Sequence, residues 1–104
     1  MGRGNTSGIT EFDWDEANIA HISRHNVQPE EAEEIFFDKD NVQIEDVKHS
    51  MIEKRFIIIG KTEKDRILYQ SFTKREKKIR VISSRNINKK EVGLYEKKAR
   101  NTKV

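Results

Sequence analysis

The sequence predicts an α+β domain: two N-terminal helices, a four-stranded, mainly antiparallel sheet and a C-terminal helix. Three observations lead there. Residues 55–86, RFIIIGKTEKDRILYQSFTKREKKIRVISSRN, hold three apolar runs separated by short polar turns, the pattern of an antiparallel meander. On either side of them the apolar residues recur at helical spacing instead. With 104 residues, 34% hydrophobic and 38% charged, there is apolar material for one core, so all the elements must share it.

The elements follow in order. DWDEANIAHISRHNV reads as a helix with Asp15 as N-cap and Ile19 and Ile22 on its apolar stripe, flanked by Phe12, Trp14 and Val27. Asn26 tolerates the left-handed conformation that ends many helices, which puts His25 in the last turn. In QPEEAEEIFFDKD, Pro29 suits a first helical position, and Ala32, Ile35 and Phe36 share the buried face. NVQIEDV alternates weakly and is expected to be an edge strand. Period-two geometry then separates Arg55, Ile57 and Ile59 from Phe56 and Ile58. In KKIRVISSR it sets Ile79, Val81 and Ser83 against Arg80, Ile82 and Ser84, and Arg85 falls on the Ile79 face unless a bulge turns it. NINKKEVGLYEKKARNTKV opens with Asn88 and Glu91 at capping-box spacing and places Val92, Tyr95 and Ala99 on one stripe. Residues 12–104 form a single domain in this reading, and 1–11, rich in Gly, Ser, Thr and Asn, form a disordered leader.

Composition narrows the function. There is no cysteine, hence no disulfide, thiolate metal site or thiol nucleophile, which suits the cytosol. No apolar run approaches the roughly 18 residues of a membrane-spanning helix. The formal charge of +3 hides an asymmetry: acids dominate from Glu11 to Asp46, and bases dominate from Lys74 to Lys90. A basic face can gather a polyanion by counterion release, although charge alone specifies no chemistry, and a lysine-rich turn also serves simply as solvated surface.

Arginines on strands otherwise made of isoleucine and valine must reach solvent, an acid or a ligand, because a buried unpaired charge is very unfavourable. Arg55, Arg80 and Arg85 lie on neighbouring strands, and a short sheet could gather them beside Glu53 into one phosphate-binding pocket. They could equally pair with the acids of the second helix. His21 and His25 are four apart, but without cysteine or a glutamate in the zinc-protease position a metal site is disfavoured, and no cofactor is expected. His25 can act as a general acid or base near neutral pH, or cap its helix. RNA cleavage without metal needs a base for the 2′-hydroxyl proton, an acid for the leaving oxygen and cations around the phosphate. His25, Glu53 and the three arginines supply that set, Tyr69 offers another proton donor, and Lys54, Lys77 and Lys78 are candidate RNA contacts.

FDWDEANIAHISRHNVQPEEAEEIFFD, EKRFIIIG, DRILYQSFT and IRVISSRNINKKEVGLYE together resemble the BrnT family of bacterial toxins, from Phe12 to about Lys97. The resemblance implies a RelE-like fold, metal-independent ribonuclease activity that inhibits translation, and neutralisation by a BrnA-like ribbon-helix-helix antitoxin in a hetero-oligomer. It matches His25 to the family's helix-end histidine, Glu53 and Arg55 to its E-x-R strand, and Arg80 and Arg85 to its R-x-I-S-x-R strand. Asn26 stands where the family usually has glycine. The alternative is a non-catalytic RNA- or partner-binding module with a basic sheet face.

Overall fold

The computed structural model describes residues 11–102. In chain order the elements are β1 (Glu11–Phe12), α1 (Glu16–Ser23), α2 (Pro29–Glu34) with a 3-10 turn (Ile35–Phe37), β2 (Val42–Glu45), a 3-10 turn (Val47–His49), β3 (Arg55–Lys61), β4 (Ile67–Arg75), β5 (Lys78–Asn86) and α3 (Lys89–Thr102). The sheet has the order β1-β5-β4-β3-β2. It therefore has five strands and is mixed, which corrects the expected four. The extra strand is β1, parallel to β5 with Glu11 opposite Lys78 and Phe12 opposite Ile79. Two residues are too few to show a period, so nothing in the sequence announces it. The leader expected over 1–11 lies outside the described residues except at Glu11.

Both N-terminal helices are set by their ends. The Asp15 carboxylate accepts the Asn18 N–H at 3.2 Å while Asn18 Oδ1 accepts the Asp15 N–H at 2.8 Å, a reciprocal capping box. The same buried Asn18 donates from Nδ2 to the carbonyls of Asp13 and Val81, so the start of α1 is bolted to β5. Asn26 does take the left-handed conformation, with φ 59°, but α1 ends earlier than expected, at Ser23, and His25 sits in the following turn. Pro29 opens α2 as expected.

Arg66 locks this helix–turn–helix unit to the sheet. Its Nη1 donates to Asn26 O at 2.7 Å and to Glu31 at 2.9 Å, Nη2 to His25 O at 3.0 Å, and Nε to Asn86 Oδ1 at 2.7 Å. Arg66→Ala is expected to lower the unfolding free energy by about 2 kcal/mol in urea titration, since several charge-assisted bonds go together.

The two sheet faces carry two cores. Against α1 and α2 lie Ile58, Leu68, Phe72, Ile79 and Val81, packed on Ile22, Val27, Ala32, Ile35 and Phe36. Gly60 is required here. A Cβ on it would stand 2.8 Å from both Cβ and the carbonyl oxygen of Ile35, where the 3-10 turn crosses β3. On the opposite face Ile57, Ile59 and Tyr95 form a smaller cluster with Val42, Ile67, Tyr69 and Ile87 around it. The Tyr95 hydroxyl donates to Asp38 at 2.7 Å, and burial together with that carboxylate raises its pKa, so the phenol stays neutral.

Strand β5 carries one irregularity with large consequences. Ser71 pairs with Ser83 but Phe72 pairs with Val81, leaving Ile82 as an extra residue. Beyond this bulge the alternation inverts. Ser84 is buried on the helix side, and Arg85 turns to the side of Tyr69 and α3.

Candidate active site

The smaller cluster leaves the far end of its sheet face open. There a hollow of about 270 Å³ is lined by Asp46, His49, Arg55, Ile57, Tyr69, Ser71, Ile82 and Ser83. Register explains part of the membership: Ile57, Ser71 and Ser83 form one cross-strand rung, and Arg55 stands on the next, which continues through Thr73 and Arg80 outside the lining. The Ser71 and Ser83 hydroxyls are 2.6 Å apart on the floor. A neighbouring hollow of about 440 Å³ shares His49 and Arg55 and adds Lys48, Met51, Ile52 and Glu53.

The residues singled out from sequence are distributed unequally around it. Arg55 lines both hollows, and among the described residues no carboxylate lies at ion-pair distance from its guanidinium. Arg80 is on the next rung, but its side chain is only 16% exposed and pairs with Asp15 at 3.1 Å and Asp13 at 3.6 Å. That pair depends on the segment between β1 and α1, and it holds the Asp15 carboxyl below its usual range, helped by the Asn18 N–H. Glu53 accepts two bonds from Arg75, at 3.1 and 3.3 Å. Arg75 foremost, then the fields of Arg55 and Arg80, lower its pKa, so Glu53 is a carboxylate engaged at the hollow's rim. Arg85 stacks over the Tyr69 ring at 4.3 Å and forms a two-pronged pair with Glu91 at 2.8 and 2.9 Å.

His25 lies elsewhere. Its carbonyl is held by Arg66, the residue before β4. From Arg66 to Thr73, which marks the Arg55–Arg80 rung, is roughly 23 Å along the strand. The single pocket expected for His25 and all three arginines is thus divided: Arg55 and Arg80 share one end of the open face, Arg85 sits by α3, and His25 follows α1 on the helix side. Lys54 is exposed next to Arg55, Lys77 is exposed in the β4–β5 turn, and Lys78 pairs with Glu11 at 3.4 Å.

Sequence reasoning could not place His49 and did not pair it with Asp46. His49 Nδ1 is 2.9 Å from Asp46 Oδ2, and both line the hollow that Arg55 lines. The signal was their spacing, since residues three apart in a 3-10 turn stack on one side. Among the described residues no three histidines or carboxylates gather as a metal-binding group.

Residues 14–91 match the model of a family described as "Ribonuclease toxin, BrnT, of type II toxin-antitoxin system". The chain belongs to the BrnT family. No protein in the curated set matches it. The family match reaches from Trp14, which donates to Glu33 at 2.8 Å, to Glu91, the partner of Arg85, and so includes every residue of the hollow. BrnT membership places the chain among ribonuclease toxins with an antitoxin partner. No helix among the described residues is long and apolar enough to cross a membrane. For a ribonuclease of this family, an open shelf bearing an uncommitted guanidinium, serine hydroxyls and an imidazole offers what a phosphodiester needs: charge neutralisation, orientation and proton transfer.

Proposed function

We propose that the open end of the sheet face is where this toxin binds and cuts RNA, without a metal ion, and that cutting inhibits translation in the cytoplasm. The observation that carries the reading is Arg55, a cation facing an accessible hollow with no carboxylate at ion-pair distance among the described residues. Arg55 holds the scissile phosphate. Arg80, already neutralised by Asp13 and Asp15, and Glu53, held by Arg75, shape the field around it. Arg85 and Tyr69 form the α3 side of the shelf, while Lys54, Lys77 and Lys78 extend the basic track for flanking phosphates. His25 is a competing proposal for proton transfer, and a His25→Ala protein in the same assay ranks it against the groups of the hollow.

The partner is a BrnA-like ribbon-helix-helix antitoxin that covers this shelf. The 46–54 loop beside it exposes Val47, Met51 and Ile52 at 74%, 90% and 100%, a concentration of apolar surface that a bound protein would remove from water.

Purified protein incubated with RNA in EDTA is the test of function. Cleavage is expected at the rate seen without chelator. Tight binding with intact RNA would replace the enzyme by a binding module, and loss of cleavage in EDTA restored by a divalent ion would remove the metal-free mechanism.

A further inference from the structure

We infer that His49, oriented by Asp46, is the general base of this site, a catalytic assignment that rests on the ribonuclease reading above. Three features of the 46–55 segment support it. First, the dyad geometry fixes the imidazole tautomer. Asp46 Oδ2, 2.9 Å from Nδ1, accepts a hydrogen bond from the Nδ1–H, leaving the Nε2 lone pair as the free acceptor. The histidine side chain is 62% exposed and the aspartate 20%, so the orienting carboxylate is the shielded partner and the ring is the accessible one.

Second, the segment is rigidly referenced to Arg55. The Ser50 hydroxyl donates to Asp46 O at 2.7 Å and accepts the Arg55 N–H at 3.0 Å, while the Asp46 N–H donates to Arg55 O at 2.8 Å. The His49 N–H closes the 3-10 turn onto Asp46 O at 3.1 Å. A phosphate bound by Arg55 is therefore presented to an imidazole whose backbone is tied to the same strand.

Third, among the described residues no other histidine lines the hollow. His21 and His25 belong to α1 and the turn after it, on the helix side of the sheet. The charged groups that line the two hollows around His49 are Asp46, Arg55, Lys48 and Glu53, with the Tyr69 phenol across the floor.

Nε2 of His49 takes the 2′-hydroxyl proton, the 2′-oxygen forms a bond to phosphorus, and the bond from phosphorus to the 5′-oxygen breaks. The departing 5′-oxygen takes a proton from water, and the imidazolium returns its proton to the hydroxide left behind. The products are a 2′,3′-cyclic phosphate and a 5′-hydroxyl, and Arg55 neutralises the charge that builds on the non-bridging oxygens. Asp46 touches no substrate and acts as a positioning residue.

The experiment compares wild type, His49→Ala, His49→Gln, Asp46→Asn and His25→Ala on one RNA, reading single-turnover cleavage, RNA binding and the pH dependence of the rate. Both His49 variants are expected to lose about 10²–10⁴-fold in rate and the ascending limb of the pH profile, with RNA affinity within about threefold of wild type. Asp46→Asn should be slower with a displaced limb. His49 variants that cleave at wild-type rate, or that lose RNA binding and cleavage together, would overturn the assignment while leaving the ribonuclease reading intact. His25→Ala abolishing cleavage while His49→Ala retains it would transfer the role to His25. A wild-type protein that leaves RNA intact would remove both readings.

Discussion

Arg55→Ala should reduce RNA cleavage by about 10²–10³-fold while leaving the fold unchanged, the loss typical of removing one preorganised donor from a developing oxyanion. The expectation of an unchanged fold is specific to this arginine. Its backbone N–H and carbonyl are committed to Ser50 and Asp46, but its side chain forms no ion pair among the described residues. Removing Arg80 or Arg85 would instead leave Asp15 or Glu91 without its cation, mixing a stability loss into the rate. Arg55→Lys keeps the charge and loses the planar fork, so partial recovery would indicate a mainly electrostatic role and no recovery a two-pronged grip. Single-turnover cleavage beside thermal unfolding of the same samples makes the distinction. An Arg55→Ala protein that cuts at wild-type rate would end the proposal for this site.

Phe72→Ala should destabilise the fold by about 3–5 kcal/mol by urea unfolding, more than Arg66→Ala. Phe72 is 1% exposed in the middle of β4, with Phe36 edge-on at 5.0 Å on the helix side and Phe56 stacked at 5.4 Å on the neighbouring strand. Phe36 meets Phe12 of β1 in turn, at 5.4 Å, so four rings join the meander, the helical layer and the short parallel strand. Backbone ties on several sides limit how far the neighbours can collapse into the vacated space. A loss under about 1 kcal/mol would show that the aromatic chain does not organise the core.

Much of this architecture was legible because it repeats. The alternation in β3 and β4 assigned Ile57 and Ile59 to one face and Phe56 and Ile58 to the other, and the two cores keep that division. Single residues with narrow conformational preferences were legible too: Pro29 at a helix start, Asn26 in the left-handed turn, Asn88 and Glu91 in a reciprocal cap. What escaped has no period. A two-residue strand, a one-residue bulge at Ile82 and a three-residue 3-10 turn are each shorter than the pattern needed to detect them. Yet these three decide the site. β1 leads into the acids that occupy Arg80, the bulge sends Arg85 to Tyr69, and the 3-10 turn places His49 beside Arg55. Residue types with the right chemistry were visible, whereas their pairing depends on contacts between distant segments. The one missed pair with local spacing was Asp46 and His49.

The doubled position at Ile82 constrains the length of β5 more tightly than its lettering. Any side chain of moderate size could occupy that kink, but deleting it would rotate every later residue of the strand by half a turn. The Ser84 hydroxyl would then face the shelf, and a guanidinium would be driven towards the greasy layer beneath α1. Relatives built on the same plan should therefore vary freely in spelling at this point while never dropping the character.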